Sequence, residues 1–345
     1  MCAQRSRQLR TSSFRTRRLG AESLEARHLL SAGSVTVAAA AGLLTITGDG
    51  NDDSVLVSGS TTASQTFKIQ GLHGTQINGV ANGSVTETGV TAITTAGWGD
   101  GKDFFGFTDR NTTGLAGGLS VSMGNGNDEV DLGNSEDQWG GWGWGRNNTV
   151  TKVGGDVQVT LGGGNDEVAA KDVTVTTTQG FLVTMLGGND RFYAENLTLT
   201  ATGVGPITGD QGLGVVMGDG NDSVDAEKVT VNATGTVSGR QGFGVSLGGG
   251  NDQFTADKVS VTLSGTVGGL QGFGVMMGDG NDRVKAESVT VTGGGGVVSS
   301  WTTSACDEPP ALPAMSVSWT VIAFRPEIIA TSLRLTVATR LVSIW

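Results

Sequence analysis

A Gly-x-Gly-Asn-Asp turn, or a close variant, comes round seven times in this chain, and each copy is followed by a short run of alternating apolar residues. The Asp closing each turn falls at Asp52, Asp128, Asp166, Asp190, Asp222, Asp252 and Asp282. The last three steps, from 190 to 222, then to 252, then to 282, are nearly equal. A fixed period of about 30 residues means one supersecondary unit stacked on copies of itself, which rules out a conventional globular arrangement.

The segment Gln241–Leu270 shows what the unit is. Phe243, Val245 and Leu247 alternate with small or polar residues, the pattern of a half-buried strand. Gly248 to Asp252 turn the chain, and Phe254 and Ala256 make a second short inward run. Asp257 and Lys258 break the alternation at a second corner. Val259, Val261 and Leu263 form a third strand, and Gly265 to Gly269 lead back. Three short strands and three corners in about 30 residues predict an all-β fold, a parallel β-helix (β-solenoid) in which rungs pair at about 4.8 Å. Phe243 then sits on Phe273 and under Leu213. A two-sheet sandwich of hairpins is the competing fold, but the return segment is too long and Gly-rich for tight hairpin turns.

Composition divides the chain into four regions: 1–33, rich in Arg and Ser; 34–150, with irregular repeats; 151–296, with regular ones; and 297–345, which has no glycine at all. The last region reads either as a cap on the open end of the stack or as the product of a shifted reading frame. In the irregular region, Gly99-Asp100-Gly101-Lys102-Asp103 is a degenerate turn. The 58 glycines lack the every-third spacing of collagen. Residues 1–31 hold seven of the 22 basic and two of the 33 acidic residues, so the remainder carries 15 against 31, a net charge of −16. So acidic a body lacks the basic footprint that nucleic acid requires. No apolar run reaches the ~18 residues of a membrane span. The two cysteines, Cys2 and Cys306, make no disulfide framework.

At Met217-Gly218-Asp219-Gly220-Asn221-Asp222-Ser223-Val224 the turn resembles the glycine-rich nonapeptide of RTX (haemolysin-type) calcium-binding repeats. Matching stretches are Gly124–Val130, Gly162–Val168, Gly248–Phe254 and Gly278–Val284. The resemblance implies bound calcium, held by turn carbonyls and by the carboxylates of Asp52, Asp128, Asp166, Asp190, Asp222, Asp252 and Asp282. The variable position between the two glycines would add Asp49, Asn125, Asp219 and Asp279. Two departures stand out. Met or Leu replaces the first Gly of the nonapeptide (Met123, Leu161, Met217, Leu247, Met277), and one such turn per repeat allows only a single column of sites. In the poorest regular copy, Leu186 precedes Gly187-Gly188-Asn189-Asp190.

The segment Leu24-Glu25-Ala26-Arg27-His28-Leu29-Leu30-Ser31-Ala32 is similar to the LEPR-XLL leader motif of secreted and surface proteins of planctomycetes, with Ala26 in place of the usual Pro. The two resemblances together imply an extracellular or cell-surface protein. Its role would be structural or adhesive, its partners calcium ions and a surface polysaccharide or another cell-surface protein.

Each feature also has a plainer reading. The turn residues can form a metal-free Asn/Asp ladder that caps backbone amides, although carboxylates stacked at ~4.8 Å repel by roughly 3–4 kcal/mol per pair at an effective dielectric of 20. The column Glu195, Glu227, Asp257 and Glu287, with Lys171, Lys228 and Lys258 nearby, reads as a solvated face with local pairing. The glutamines at 179, 211, 241 and 271 suit a hydrogen-bonded ladder. The tryptophans of Trp139–Trp144 either pack on the stack or stack on sugars. Neither His28 nor His73 lies in a nucleophilic arrangement, and the expectation is a protein that is not an enzyme. The competing class is a carbohydrate-active β-helix enzyme, a polysaccharide lyase or hydrolase.

Overall fold

The structure, a computed structural model, describes residues 33–109, 114–133, 150–207, 209–265, 267, 271–293, 300–304 and 319–320. They contain strands and turns and no helix. The strands form three sheets of 13, 10 and 6 strands, and each regular repeat contributes one strand to each. In the repeat read above these are Gln241–Ser246, Gln253–Asp257 and Ser260–Ser264. Every one of them pairs in parallel with its counterparts in the preceding and following repeats, without a slip of register. Stacking in register is what a strict repeat permits: identical inward positions meet, so one residue choice fills a whole column.

Leu213, Phe243 and Phe273 lie directly over one another, as the alternation predicts. The Phe243 and Phe273 rings meet edge-on at 5.3 Å between centroids, and Phe254 reaches Phe273 from the second sheet at 5.9 Å. Such contacts add roughly 0.5–1.5 kcal/mol each to the area term. The core runs unbroken through the described repeats.

The departure from the nonapeptide now has a reason. Met123, Leu161, Met185, Met217, Leu247 and Met277 form a buried column just ahead of the turns. A glycine there would leave a void in every rung.

The region 34–150 keeps parallel repeats but closes one end of the stack with antiparallel strands, which periodicity does not announce. Ser34–Ala40 pairs antiparallel with Leu43–Thr47. Thr66–Gly71 lies antiparallel between Ser54–Gly59 and Ser84–Thr88. These strands bury Val35, Phe67 and Ile69 over the first parallel rung, as a stack must do at its ends. Of the region after 296, the described Ser300–Ser304 adds one strand beside Gln271–Asp279, and Trp319–Thr320 pairs antiparallel with it. The leader motif at residues 24–32 and the Trp139–Trp144 segment lie outside the described residues.

The second corner has a conformation the sequence does not advertise. Asp172, Asn196, Lys228, Lys258 and Ser288 occupy it in successive rungs, all with φ between 54° and 56°. A side chain with a Cβ costs roughly 1–2 kcal/mol in this left-handed region, least for Asn and Asp. Lys258→Asn is therefore expected to stabilise the protein by roughly 0.5–1 kcal/mol, read as a raised Tm. A lowered Tm would mean that the 2.7 Å ion pair of Lys258 with Asp257 outweighs the backbone strain.

Candidate functional site

The turns between the first and second sheets bring the repeated carboxylates into one buried column. Its members are Asp53, Asp103, Asp128, Asp166, Asp190, Asp222, Asp252 and Asp282. Each backbone N–H in the series donates to Oδ1 of the next Asp along, in seven consecutive bonds of 2.8–3.0 Å. The first seven members are at most 2% exposed.

The preceding residue builds a second ladder of opposite sense. Asn165, Asn189, Asn221, Asn251 and Asn281 each donate a backbone N–H to Oδ1 of the Asn one rung earlier, at 2.7–3.0 Å. Asn189, Asn221 and Asn251 also donate from Nδ2 to the same oxygen at 3.0–3.1 Å. Each turn is thus tied forward through its Asp and backward through its Asn, which accounts for the Asn-Asp pair in the motif.

The glycines permit this approach. Gly188 has φ of 127°, and a Cβ there would collide with the carbonyl oxygen of Gly164 in the rung beneath. Gly250 stands in the same relation to Gly220.

The electrostatics of the Asp column are unusual. One carboxylate oxygen of each of its first seven members is buried and has no hydrogen-bond partner among the described residues. Burial, opposed only in part by the backbone hydrogen bond to the other oxygen, drives the carboxyls of Asp53, Asp128 and Asp222 up to about 7. Asp103 and Asp166 rise to about 6, and Asp190 and Asp252 move the same way, again chiefly through burial. Neighbouring carboxylates add to the shift, as Asp190, Asp252 and Asp219 do for Asp222. A neutral acid relieves both the desolvation of the charge and the repulsion along the column.

The sequence-derived site is one residue out at its first member. Asp52 sits in the Asn column, where its Oδ1 accepts the Lys102 N–H at 2.8 Å, and Asp53 takes the buried place. The doubled acid Asp52-Asp53 is the signal that reading the turn as Asn-Asp passes over. Asp103, from the degenerate turn, also joins the column. Asp128, Asp166, Asp190, Asp222, Asp252 and Asp282 lie where the motif places them.

The variable-position residues are not gathered with them. Asp219 and Asp279 are separated in their column by Gly249. Asp49 folds onto Asn51, and Asn125 bridges Asp100 and the Gly163 N–H.

Calcium takes six to eight oxygens at roughly 2.3–2.6 Å. Here the carbonyls of Gly163, Gly187, Asp219, Gly249 and Asp279 accept backbone N–H groups of the neighbouring rung at 2.7–2.9 Å. Oδ1 of each column Asp after the first is engaged as well. Among the described residues, no group of three or more His, Cys, Asp or Glu side chains could hold a metal ion. These carbonyls and Oδ1 atoms are thus engaged in the ladders that join the rungs.

Outside the turns, Lys171, Glu195, Glu227, Asp257 and Glu287 align on the outer face of the second sheet. Lys171 reaches Glu195 at 3.1 Å and Lys228 reaches Glu227 at 2.8 Å. Gln211, Gln241 and Gln271 form the expected amide ladder, with bonds of 2.7 and 2.6 Å, while Gln179 stays out of it and binds Asp156 through its backbone. No described helix is long and apolar enough to cross a membrane.

These features define an all-β repeat protein of parallel strands whose turns are joined by side-chain ladders. Comparison with known proteins finds no protein-family profile, no curated protein and no solved structure that matches the chain.

Proposed function

We propose that this chain is a non-enzymatic structural protein of the cell surface or extracellular space, a β-solenoid whose rungs are fastened by Asn and Asp ladders rather than by metal. The observation that carries this reading is the unbroken series of N–H to Oδ1 bonds from Asp53 to Asp282. A hydrogen bond to a carboxyl contributes roughly 1.5–3 kcal/mol if the acceptor is charged and about 1 kcal/mol if neutral. Repeated along the turns, such bonds give a stack that resists local opening. Its surfaces are then free for adhesive contact with a polysaccharide or a neighbouring surface protein. The reading as a non-enzyme is supported by the pairing of outward carboxylates with adjacent lysines among the described residues.

The competing role for the same turns is calcium binding, and the buried unpartnered oxygens are the atoms that would favour it. The test is a comparison of far-UV circular dichroism and Tm for the full chain in chelator, in millimolar calcium and in millimolar magnesium. The ladder predicts the same β-structure in all three and a Tm shift below about 2 °C. A large rise confined to calcium would overturn it, because a ligand that binds only the folded state at a hundred times its Kd stabilises by about 2.7 kcal/mol.

A further inference from the structure

Five of the six strands of the six-stranded sheet turn an uncharged, hydroxyl-rich face outward, and the first, Thr151–Val153, sets Lys152 beside Thr174 at its edge. The five present a polar–apolar–polar triplet in register, from Thr174-Val175-Thr176 to Thr290-Val291-Thr292. The middle residue points inward. Of the ten outward positions in these triplets only Asn232 and Ser260 are not threonine. None of the ten side chains is hydrogen-bonded to another group among the described residues.

No residue of these five strands is charged, although the corner beside them carries Asp172, Lys228 and Lys258. Two continuous columns result. Except at Asn232, which offers an amide, their hydroxyls repeat about every 4.8 Å across the strands and, at twice the rise per residue, about every 6.6 Å along them. The spacing across the strands lies close to the shorter oxygen repeat on a prism face of hexagonal ice, and the spacing along them falls roughly a tenth short of the longer one.

The chemistry suits that lattice. Each threonine offers a hydroxyl that both donates and accepts, beside a methyl group that excludes disordered water. Over the five strands the face is neutral, like the ice surface, with the one charge, Lys152, at its edge beside Thr174. Its side chains are β-branched and held on paired backbone, so little rotamer freedom remains to be lost on contact.

We propose that the threonine face of the six-stranded sheet binds ice. The test uses the full chain and two double variants, Thr200→Lys with Thr262→Lys and Thr200→Val with Thr262→Val. Thr255→Lys, an outward position on the second sheet, serves as the control. Thermal hysteresis and crystal shape are recorded in a nanolitre osmometer, and Tm verifies that each variant is folded.

The original chain and Thr255→Lys are expected to give equal hysteresis with faceted crystals. The lysine pair should lose it at least tenfold, and the valine pair, which keeps the methyls, should lose only part. The proposal is overturned if the original chain leaves ice unshaped, or if the folded lysine pair retains full activity. It is equally overturned if the face captures crystalline cellulose or chitin and ignores ice.

Discussion

Asp222→Asn is expected to leave the protein folded and, at pH 7.5, more stable than the original by on the order of 2 kcal/mol, whereas Asp222→Ala should cost roughly 1–3 kcal/mol. The asymmetry follows from what each residue does to the rung before it. Oδ1 of Asp222 accepts the buried Asp190 N–H at 2.9 Å. Asn keeps that acceptor and removes an acid whose ionisation is opposed by burial and by Asp190, Asp252 and Asp219. Ala leaves the N–H without a partner, and a buried orphan donor carries its full desolvation penalty. At pH 4.5 the Asn gain should largely vanish, because the carboxyl is then neutral in the folded state in any case. Urea denaturation at the two pH values reads the order directly. If Asn proves as damaging as Ala at pH 7.5, the carboxylate itself is needed, and the turns are metal sites.

Gly188→Ala is expected to destabilise by roughly 3–5 kcal/mol, from backbone strain and overpacking together. The added methyl meets the carbonyl oxygen of Gly164, and φ at this residue is 127°. The rung cannot move away without loosening the Gly188 N–H bond to the Asp219 carbonyl and the Asn189 N–H bond to Asn165 Oδ1. Gly244→Ala is the comparison, since a Cβ there meets nothing within 4 Å. It should be neutral or gain up to ~1 kcal/mol by restricting the unfolded chain. Equal losses at the two positions, in parallel denaturation curves, would contradict the close approach of the turns.

Much of this was legible in the residues because a repeat writes its own register. Once Phe243, Val245 and Leu247 are aligned with their copies in the next repeat, the pairing of Leu213, Phe243 and Phe273 follows, as do the glutamine ladder and the acidic column on the outer face. What escaped is what periodicity cannot carry. The antiparallel strands over the first rung answer to the exposed end of the stack, a tertiary demand with no local period. Lys228 and Lys258 give no sign of left-handed backbone, since their composition suits any exposed corner. The shift from Asp52 to Asp53 arises where two acids adjoin and the motif alone cannot choose between them. The burial of the Asp column was hidden for a related reason: a Gly-rich turn reads as exposed, yet here the neighbouring turns cover its carboxyls.

The pH dependence of stability tests the metal-free ladder most directly. In the folded chain Asp53, Asp128 and Asp222 hold their protons up to about pH 7, and Asp103 and Asp166 up to about pH 6. In the unfolded chain the same groups ionise near 3.9. Between these values the native state binds more protons than the unfolded one, so stability falls as pH rises. Their contribution is complete below about pH 4 and is lost through pH 6–7. Even if relaxation leaves only on the order of 1 kcal/mol per group, the five together contribute about 5 kcal/mol. Exposed ion pairs of the outer face work in the other direction but are worth about 0–1 kcal/mol each. The measurement is the urea denaturation free energy of the full chain in chelator, at intervals from pH 4.5 to 8. A protonatable ladder predicts a decline of several kcal/mol across pH 5–7.5 that millimolar calcium does not reverse. A stability that climbs with pH, or that calcium restores at pH 7.5, would contradict it.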